Sequence, residues 1–363
     1  MIKFANPSAQ YQAYQSEIDQ ALKDVLNSDT YILGKQVSLL EEEFAEYIGS
    51  NFSIGVANGT DALELALRAL DIGNGDEVIT VSHTAVATVA AVEAAGALPV
   101  LADIEEDTYT IDISKISELL TKKTKALIAV HLYGGASNID DLLTFCKSNK
   151  LKFIEDVSQA HGAKWKNKRL GSFGDISCFS CFPTKNLGAI GDAGLITTND
   201  EALSLKLKML REYGWKNRIS QLAGRNSRLD EIQAAILRVK LAHLDDTNNK
   251  RIELANIYNS ELGDLPLILP ASNQSASHVF HLYVVRLDKR DELLDYLRKK
   301  EIFAGIHYPS PVHLQPIYKN RLHYLDLSIT ESISGQIISL PLYPELTDVQ
   351  QLRVIEALKS FCY

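Results

Sequence analysis

Short apolar runs alternate with segments of helical period over residues 38–211. Seven runs have the length and composition of strands: residues 52–57, 77–81, 99–102, 126–130, 152–154, 176–180 and 194–197. Six segments place apolar residues three or four positions apart, as helices do: residues 38–48, 61–70, 85–94, 114–120, 139–148 and 201–211. This order of strands and helices predicts an α/β fold, in which helices cover both faces of a mostly parallel sheet.

The pattern changes after residue 228. A single helical pattern runs over residues 228–262. A predicted strand and two predicted helices follow it: residues 278–287, 290–300 and 347–358. We therefore predict a large domain over residues 1–245, which includes an N-terminal arm, and a smaller α+β domain over residues 246–363.

Composition and charge exclude several classes of protein. The chain has 363 residues, of which 46% are hydrophobic, so a sizeable core is available. With 37 basic and 46 acidic residues its net charge is −9, which argues against binding to nucleic acids or to a membrane surface through a basic patch. No apolar stretch is long enough to span a membrane, and the first residues lack the apolar segment of a secretory signal.

The cysteines indicate a reducing compartment. Cys178 and Cys181 have the CxxC spacing of half a zinc site, but the second pair that such a site needs is absent, and Cys178 falls within a predicted strand. We interpret these two residues, with Cys146 and Cys362, as thiols that are mostly buried, and we predict no metal site. The expected compartment is the cytoplasm.

Candidate chemistry lies just after the predicted strands, because open parallel sheets bind ligands beyond the carboxyl ends of their strands. The strand 52–57 is followed by Asn58-Gly59-Thr60-Asp61, where a helix begins. The free N–H groups and the dipole of a helix start bind anions such as a phosphate. Ordinary capping of the helix by Thr60 or Asp61 is the competing interpretation.

Asp156 and Lys185 also follow predicted strands. We expect Asp156 to be buried and to need a cationic partner, either an Arg or Lys of the core or the protonated ring nitrogen of a cofactor. Lys185 stands among apolar residues before a glycine-rich turn, which favours a desolvated amine that acts as nucleophile and base; an ordinary solvated lysine is the alternative. Ser180 could donate to a phosphate, whereas His161 by itself is more typical of a structural histidine.

A further candidate is the loop 224–230, which carries Arg225 and Arg228. Capping of the next helix by Ser227 explains the loop but not its two arginines, which could hold an anion.

Taken together, the candidates fit one cofactor, pyridoxal 5′-phosphate (PLP). They are an acid, a lysine and a helix start of the kind that binds phosphate, each placed after a different strand. In PLP enzymes the lysine forms a Schiff base with the cofactor, and an acid keeps the pyridine nitrogen protonated.

The chain resembles the DegT/StrS-type PLP-dependent sugar aminotransferases, which have the aspartate aminotransferase fold (fold type I). The resemblance covers nearly the whole chain. The motifs that carry it are GVANGTDALELALRAL, SHTAVATVAAVEAAGALPVLADI, VHLYGG, IEDVSQAHGA, GSFGDISCFSCFPTKNLGAIGDAG, NSRLDEIQAA, SHVFHLYVVR and GIHYPSPVH. The resemblance implies a mixed, mostly parallel sheet in a large PLP-binding domain, and a smaller C-terminal domain.

The resemblance also implies roles for individual residues. Lys185 would form the Schiff base, and Asp156 would face the pyridine nitrogen. Gln159 would contact the hydroxyl group of the cofactor ring. Three residues would bind the phosphate: Gly59, Thr60 and Ser180. Asn226 would reach the phosphate in the neighbouring subunit, which implies an obligate homodimer with shared sites. Six residues would lie near the substrate: Lys35, His161, Arg228, His307, Tyr308 and His313.

One position departs from the family pattern. The family usually has an aromatic residue two places after His83, where it stacks on the cofactor ring, but this chain has Ala85. We expect His83 or the sugar itself to supply that contact. Relatives in which a histidine replaces the lysine are dehydratases, so the presence of Lys185 favours transamination.

We therefore predict a PLP-dependent aminotransferase that moves an amino group from an amino acid, expected to be L-glutamate, to a keto sugar. A nucleotide-linked 3-keto or 4-keto 6-deoxy sugar is the main expectation, made for a surface glycan such as the O-antigen of lipopolysaccharide or for a glycosylated metabolite. The alternatives are a keto sugar or sugar acid without a nucleotide, a PLP-dependent dehydratase or lyase of the same fold, and a sensor that keeps the fold without the reaction.

Overall fold

A computed structural model of the chain describes residues 1–271, 273 and 275–363. Its helices are α1 (Pro7–Ala13), α2 (Gln15–Leu26), α3 (Lys35–Ile48), α4 (Gly59–Ala69), α5 (Val86–Ala94), α6 (Ile139–Asn149), α7 (Glu201–Leu210), α8 (Glu231–Ala242), α9 (Leu244–Leu262), α10 (Arg290–Lys299), α11 (Ser328–Ser334) and α12 (Asp348–Cys362). Its strands are β1 (Phe52–Val56), β2 (Glu77–Val81), β3 (Leu98–Ala102), β4 (Thr124–Val130), β5 (Lys152–Asp156), β6 (Lys164–Trp165), β7 (Lys168–Arg169), β8 (Ile176–Ser180), β9 (Gly194–Thr198), β10 (Trp215–Lys216), β11 (Ile219–Ser220), β12 (Tyr283–Arg286), β13 (His323–Tyr324) and β14 (Ile337–Leu340). Single turns of 3-10 helix lie at Ile113–Lys115, Ser117–Leu119, Leu132–Gly134 and Val312–Leu314.

The largest sheet of the described residues has eight strands in the order β1-β9-β8-β5-β4-β2-β3-β13. Strand β9 runs antiparallel to both of its neighbours, and the other neighbouring pairs run parallel. The predicted α/β fold with a mostly parallel sheet is confirmed. Because β4, β5 and β8 are parallel neighbours, the residues that follow them lie at one edge of the sheet.

Helices cover both faces of this sheet. Along β2, Val78 and Ile79 are fully buried but belong to different apolar clusters, because successive side chains of a strand point to opposite faces. The cluster around Ile79 includes residues of α3, α6 and α8, and the cluster around Val78 includes residues of α4, α5 and α7. Burial on both faces is the reason why these strands are nearly uninterrupted apolar runs.

A second apolar core surrounds β12 and β14, which pair antiparallel. Helices α9, α10 and α12 contribute to this core, and so does Ile2, which is 1% exposed and forms a parallel bridge with Ile302. Helix α9 crosses the predicted domain boundary after residue 245, and β13 joins the large sheet from within the predicted smaller domain. The division of the chain at that residue stays a prediction.

Two predicted helices differ from the structure. Residues 114–120 form 3-10 turns and not an α-helix, since Lys115 N donates to Asp112 O and Leu119 N donates to Ile116 O, each three positions back. The predicted helix over residues 228–262 is two helices, α8 and α9, with a break at His243. Within the described residues α9 is the longest helix, and none of those helices has the length and hydrophobicity needed to cross a membrane.

The predicted strand over residues 278–287 is wrong in its first part. Only its second part pairs as β12, with β14. Val279 N instead donates to Gly134 O at 2.9 Å, and Leu282 N donates to Tyr133 O at 3.1 Å. These backbone groups hold the chain against the loop that follows β4, so they cannot take part in a strand ladder.

Glu155 is a fully buried carboxylate with a structural role. It accepts hydrogen bonds at 2.8–3.0 Å from three backbone N–H groups, those of Gly171, Phe173 and Gly174. Ser177 Oγ also donates to it, and His131 Nε2 lies 3.3 Å from it. Burial alone would raise the pKa of Glu155, but the hydrogen bonds from His131 and the backbone lower it. The charged carboxylate therefore holds the loop 171–174 beside β5.

Candidate active site

An open cleft lies at the carboxyl ends of β4, β5 and β8. Its cavity volume is about 350 Å³, which is in the range of small-ligand sites. The lining of this cleft includes six residues that the sequence predicts to contact a cofactor: Gly59, Thr60, Asp156, Gln159, Ser180 and Lys185. The topology of the sheet thus brings together side chains that are far apart along the chain.

Lys185 lies in the turn that follows β8. Its backbone N–H donates to Phe182 O at 2.8 Å, and its side chain lines the cleft. Desolvation lowers the pKa of Lys185 to about 8, against the opposing effect of Asp156 and Cys181. At mildly alkaline pH much of this amine is therefore uncharged and nucleophilic.

Contacts with helices α1 and α8 support the turn that carries Lys185. A Cβ at Gly188 would lie 2.5 Å from Pro183 O, so glycine is needed to close the turn. Lys240 of α8, which is 4% exposed, donates from Nζ to Gly188 O at 2.6 Å and to Gln10 Oε1 at 2.8 Å. Burial lowers the pKa of Lys240 to about 8. Helices α1 and α8 together hold the lysine turn in place.

Asp156 is the last residue of β5 and is 5% exposed. Its Oδ2 accepts a hydrogen bond from Thr88 Oγ1 at 3.0 Å, and its Oδ1 accepts one from Ser158 N at 3.2 Å. Both donors are neutral, so they do not balance the charge of the carboxylate. The sequence did not single out Thr88, although it is the one hydroxyl residue in the apolar helix α5.

The first turn of α4 lies against Ser180 at the end of β8. Asn58 caps this helix, since its side chain accepts from Asp61 N at 2.8 Å, so the predicted capping by Thr60 or Asp61 is wrong. A Cβ at Gly59 would lie 2.5 Å from Ser180 Cβ. The missing side chain therefore lets the helix start approach the strand. The first N–H groups of a helix lack helical partners, and here they are joined by the hydroxyls of Thr60 and Ser180 at the same cleft.

Gln159 belongs to a hydrogen-bond network beside the cleft. Its Oε1 accepts from Tyr133 N at 2.9 Å, and its Nε2 donates to Tyr308 Oη at 2.9 Å. Tyr133 Oη donates to His307 O, and His307 Nδ1 lies 2.9 Å from Ser339 Oγ. The structure thus brings three predicted residues together and adds Tyr133, which the sequence marks only as part of the VHLYGG motif after β4.

His83 and Ala85 occupy different environments. Ala85 lines the cleft. His83 is 1% exposed, its Nε2 lies 2.7 Å from Tyr133 Oη, and its ring contacts the rings of Tyr109 and Tyr133. Burial lowers the pKa of His83 to about 4, so this ring is neutral at neutral pH. The predicted contact between His83 and a cofactor ring stays a prediction.

His161 and His313 lie outside the lining of the cleft that the described residues form. His161 is fully buried with its ring 5.5 Å from the ring of Phe179, and burial lowers its pKa to about 3. His313 Nδ1 lies 2.7 Å from Ser82 Oγ, and its Nε2 lies 3.1 Å from Glu331 Oε1. This histidine therefore connects the end of β2 with α11, and the predicted substrate contacts of both residues stay predictions.

Lys35, Asn226 and Arg228 are not brought to the cleft within a single chain. Lys35 and Asn226 are exposed, and Arg228 is half-buried with its Nη1 3.7 Å from Glu212 Oε1. Lys35 begins α3, whose first backbone N–H groups donate to the carboxylate of Glu231. The three residues therefore lie on the outside of this chain, around the start of α8.

We expect the capture of PLP by the cofactor-free protein to accelerate with rising pH and to level off above about pH 8. The amine of Lys185 reacts only when it is uncharged, and its lowered pKa moves that transition down from the ordinary value of 10.5. Stopped-flow absorbance between about pH 6 and 10 would measure the rate. A rate that still rises steeply above pH 9, as it does for a solvated lysine, would contradict a desolvated amine.

Comparisons of the sequence and of the fold relate this chain to known proteins. The model of the DegT/DnrJ/EryC1/StrS aminotransferase family matches residues 12–359. The chain is 45% identical over 364 residues to a dTDP-3-amino-3,6-dideoxy-alpha-D-galactopyranose transaminase of Aneurinibacillus thermoaerophilus, with 100% of both chains covered. It is 43% identical to a dTDP-3-amino-3,4,6-trideoxy-alpha-D-glucose transaminase of Streptomyces venezuelae, over 99% of this chain and 96% of that one. The crystal structure of S. venezuelae DesV in complex with a ketimine intermediate has a TM-score of 0.97 at 42% identity, over 99% of this chain and 98% of that one.

The fold is that of the PLP-dependent aminotransferases of fold type I. The chain belongs to the DegT/DnrJ/EryC1/StrS aminotransferase family. The resemblance inferred from its motifs is confirmed, as are the transaminase activity and the dependence on PLP that it implied.

Proposed function

We propose that this aminotransferase transfers the amino group of L-glutamate to carbon 3 of a dTDP-linked keto-6-deoxyhexose. The observation that carries the proposal is the meeting of Lys185, Asp156 and the first turn of α4 in one cleft. Both relatives described above are named as transaminases of dTDP-linked 3-amino sugars, which supports a nucleotide-linked acceptor with its keto group at carbon 3. The product would serve a surface glycan or a glycosylated metabolite.

The residues of the cleft fit PLP. The protonated pyridine nitrogen of the cofactor would supply a positive charge that the two hydrogen-bond donors to Asp156, both neutral, do not. The first turn of α4, kept close to β8 by Gly59, would hold the phosphate with the hydroxyls of Thr60 and Ser180. Gln159 would contact the ring hydroxyl. When bound, PLP supplies an electron sink that stabilises negative charge on the carbon next to the transferred nitrogen.

Lys185 acts in this proposal first as a nucleophile and then as a proton carrier. Its amine holds the cofactor until the amino group of the donor takes its place. The freed amine would then take the proton from Cα of the donor and release it on the cofactor side of the transferred nitrogen. In the second half-reaction Lys185 carries a proton in the opposite direction, to carbon 3 of the sugar. A pKa near 8 suits both directions, since the amine can hold and release a proton near neutral pH.

We assign the stacking position above the cofactor ring to the sugar acceptor. Ala85 lines the cleft at the position where the family pattern implies an aromatic side chain, and its methyl group leaves that face open. His83 is already engaged by Tyr133 and packs against Tyr109, so it is held by other contacts. An acceptor that covers the ring would also exclude water from Lys185 during proton transfer.

We further propose a homodimer with shared active sites. Lys35, Asn226 and Arg228 lie around the start of α8, outside the cleft of their own chain. A second copy that packs here would receive Asn226 at its phosphate site and Lys35 and Arg228 near its substrate. The cytoplasm is the proposed compartment, because the four cysteines are free and three of them are buried.

The test of the proposed function uses the two half-reactions separately. Incubation of the holoenzyme with L-glutamate should convert the cofactor to its amine form, with one equivalent of 2-oxoglutarate released. A panel of keto sugars is then added to that form, and return of the original absorbance identifies the acceptor. We expect the dTDP-linked 3-keto-6-deoxyhexose to react fastest, ahead of its 4-keto isomer and of UDP- and GDP-linked analogues. Loss of water from the sugar without release of 2-oxoglutarate would show a dehydratase, and a faster reaction with a sugar lacking a nucleotide would refute the proposed acceptor.

A further inference from the structure

Arg225 connects the start of α4 with the loop that carries Asn226. Its Nη2 lies 3.1 Å from Asp61 Oδ1, and its Nη1 donates to the carboxylate of Glu64. Its backbone N–H donates to Leu210 O at 2.9 Å, at the end of α7. One residue thus bridges α4, α7 and the segment 225–228.

The two carboxylates that Arg225 contacts belong to α4, the helix whose first residues form the proposed phosphate site. The side chains of Asp61 and Glu64 are 8% and 4% exposed and belong to the first two turns of α4. Buried negative charge next to a bound phosphate opposes the binding that the helix start favours. Arg68 also contacts Glu64, from Nε to Oε1 at 2.8 Å, but Asp61 is paired with Arg225. Arg225 therefore balances a charge that would otherwise repel the phosphate.

Ser227 gives the same segment a second attachment. It is fully buried, its Oγ accepts from Ala57 N at 3.2 Å, and its N–H donates to Arg211 O at 2.9 Å. The predicted role of Ser227 as the cap of α8 is therefore wrong, and Asp230 takes the N-cap position. Asn226 is exposed between the two attached residues, so its position depends on the segment that leads into α4.

We propose that Arg225 is a positioning residue that couples the phosphate site of its own chain to the contact that Asn226 makes with the partner subunit. The inference deepens the proposed function and rests on it. Binding of phosphate at α4 stabilises the arrangement in which Arg225 spans Asp61 and Glu64, and that arrangement holds Asn226 outward for the second copy. By linkage, PLP then tightens the dimer, and dimer formation tightens PLP binding by the same factor.

The test compares purified full-length variants with PLP as the probe. Arg225→Gln should raise the dissociation constant of PLP about tenfold, because it leaves the charge of Asp61 unpaired in the first turn of the helix that would hold the phosphate. Arg225→Lys, which keeps the charge, should recover most of the affinity. Arg298→Gln is the matched control: Arg298 is exposed on α10 and its removal changes the net charge equally, so we expect no change in PLP affinity. Absorbance titration measures the affinity, and sedimentation velocity with and without PLP measures the dimer.

The double variant Asp61→Asn with Arg225→Gln separates charge from folding. The proposal is supported if this variant recovers part of the lost PLP affinity, the part due to the unpaired charge of Asp61, while PLP no longer tightens its dimer. Any of three results would overturn the proposal. Arg225→Gln could bind PLP as tightly as the unsubstituted protein, the double variant could recover no PLP affinity, or PLP could tighten the Arg225→Gln dimer as much as it tightens the unsubstituted dimer. Failure of the unsubstituted protein to bind PLP would refute the proposed function instead, so the two failures are distinguishable.

Discussion

Replacement of Lys185 by alanine should lower kcat by at least about 10³-fold, because the chain loses its nucleophile and its proton carrier together. The variant should still fold, since Lys185 lies in a turn whose shape depends on Gly188 and on the support of Lys240. Exogenous amines of small size should recover part of the rate by replacing the missing base. Steady-state kinetics with L-glutamate and the best acceptor would measure both effects.

Borohydride reduction of the unsubstituted holoenzyme tests the same assignment independently. It should fix PLP covalently on the peptide that contains Lys185, as mass spectrometry of a digest would show. Lys240 is the matched comparison, because burial lowers its pKa to about 8 as well. Its ammonium is occupied by Gly188 O and Gln10 Oε1 behind the turn, so we expect no label there. Label on Lys240 or on any other lysine would contradict the role of Lys185.

The substitution Asp156→Asn should leave PLP bound but slow both half-reactions about 10²- to 10³-fold, the usual effect of losing one electrostatic contact in a catalytic site. Asparagine has nearly the shape of aspartate and can still accept from Thr88 Oγ1. It carries no negative charge, so it cannot keep the pyridine nitrogen of the cofactor protonated. Stopped-flow measurement with L-glutamate and then with the sugar would give the two rates.

Glu155 provides the control for Asp156, because it is the neighbouring carboxylate on β5 and is also buried. It serves the loop 171–174, so Glu155→Gln should lower the free energy of unfolding by about 1–3 kcal/mol with a smaller effect on the rates. Thermal unfolding followed by circular dichroism would measure the loss. Equal rates in Asp156→Asn and the unsubstituted enzyme would remove the electron-sink role of Asp156.

Much of the large sheet could be predicted, because strands covered on both faces are apolar at nearly every position. The predicted runs 77–81 and 176–180 coincide with β2 and β8. Lys185 and Asp156 were identifiable as candidates for a related reason. Residues that directly follow the strands of a parallel sheet all lie at the same edge of that sheet, so their place in the sequence is enough to bring them together.

The partners of these residues were not predictable from periodicity. A helical period shows which face of a helix is buried, but not which side chain across the interface it meets. The contact of Thr88 with Asp156 and that of Lys240 with Gly188 join elements separated by 68 and 52 positions. The break at His243 was hidden for a similar reason, since α8 and α9 both bury apolar residues and their patterns run together.

The pairing of Ile2 with Ile302 has a practical consequence for protein production. Ile2 N donates to Glu301 O at 2.8 Å, and Phe303 N donates to Ile2 O at 2.8 Å, so the first residues are part of the second core. Tyr363, at the other end of the sequence, is 87% exposed. An affinity tag should therefore be placed after Tyr363, and trimming of the leading residues should be avoided, because it would uncover apolar surface and promote aggregation.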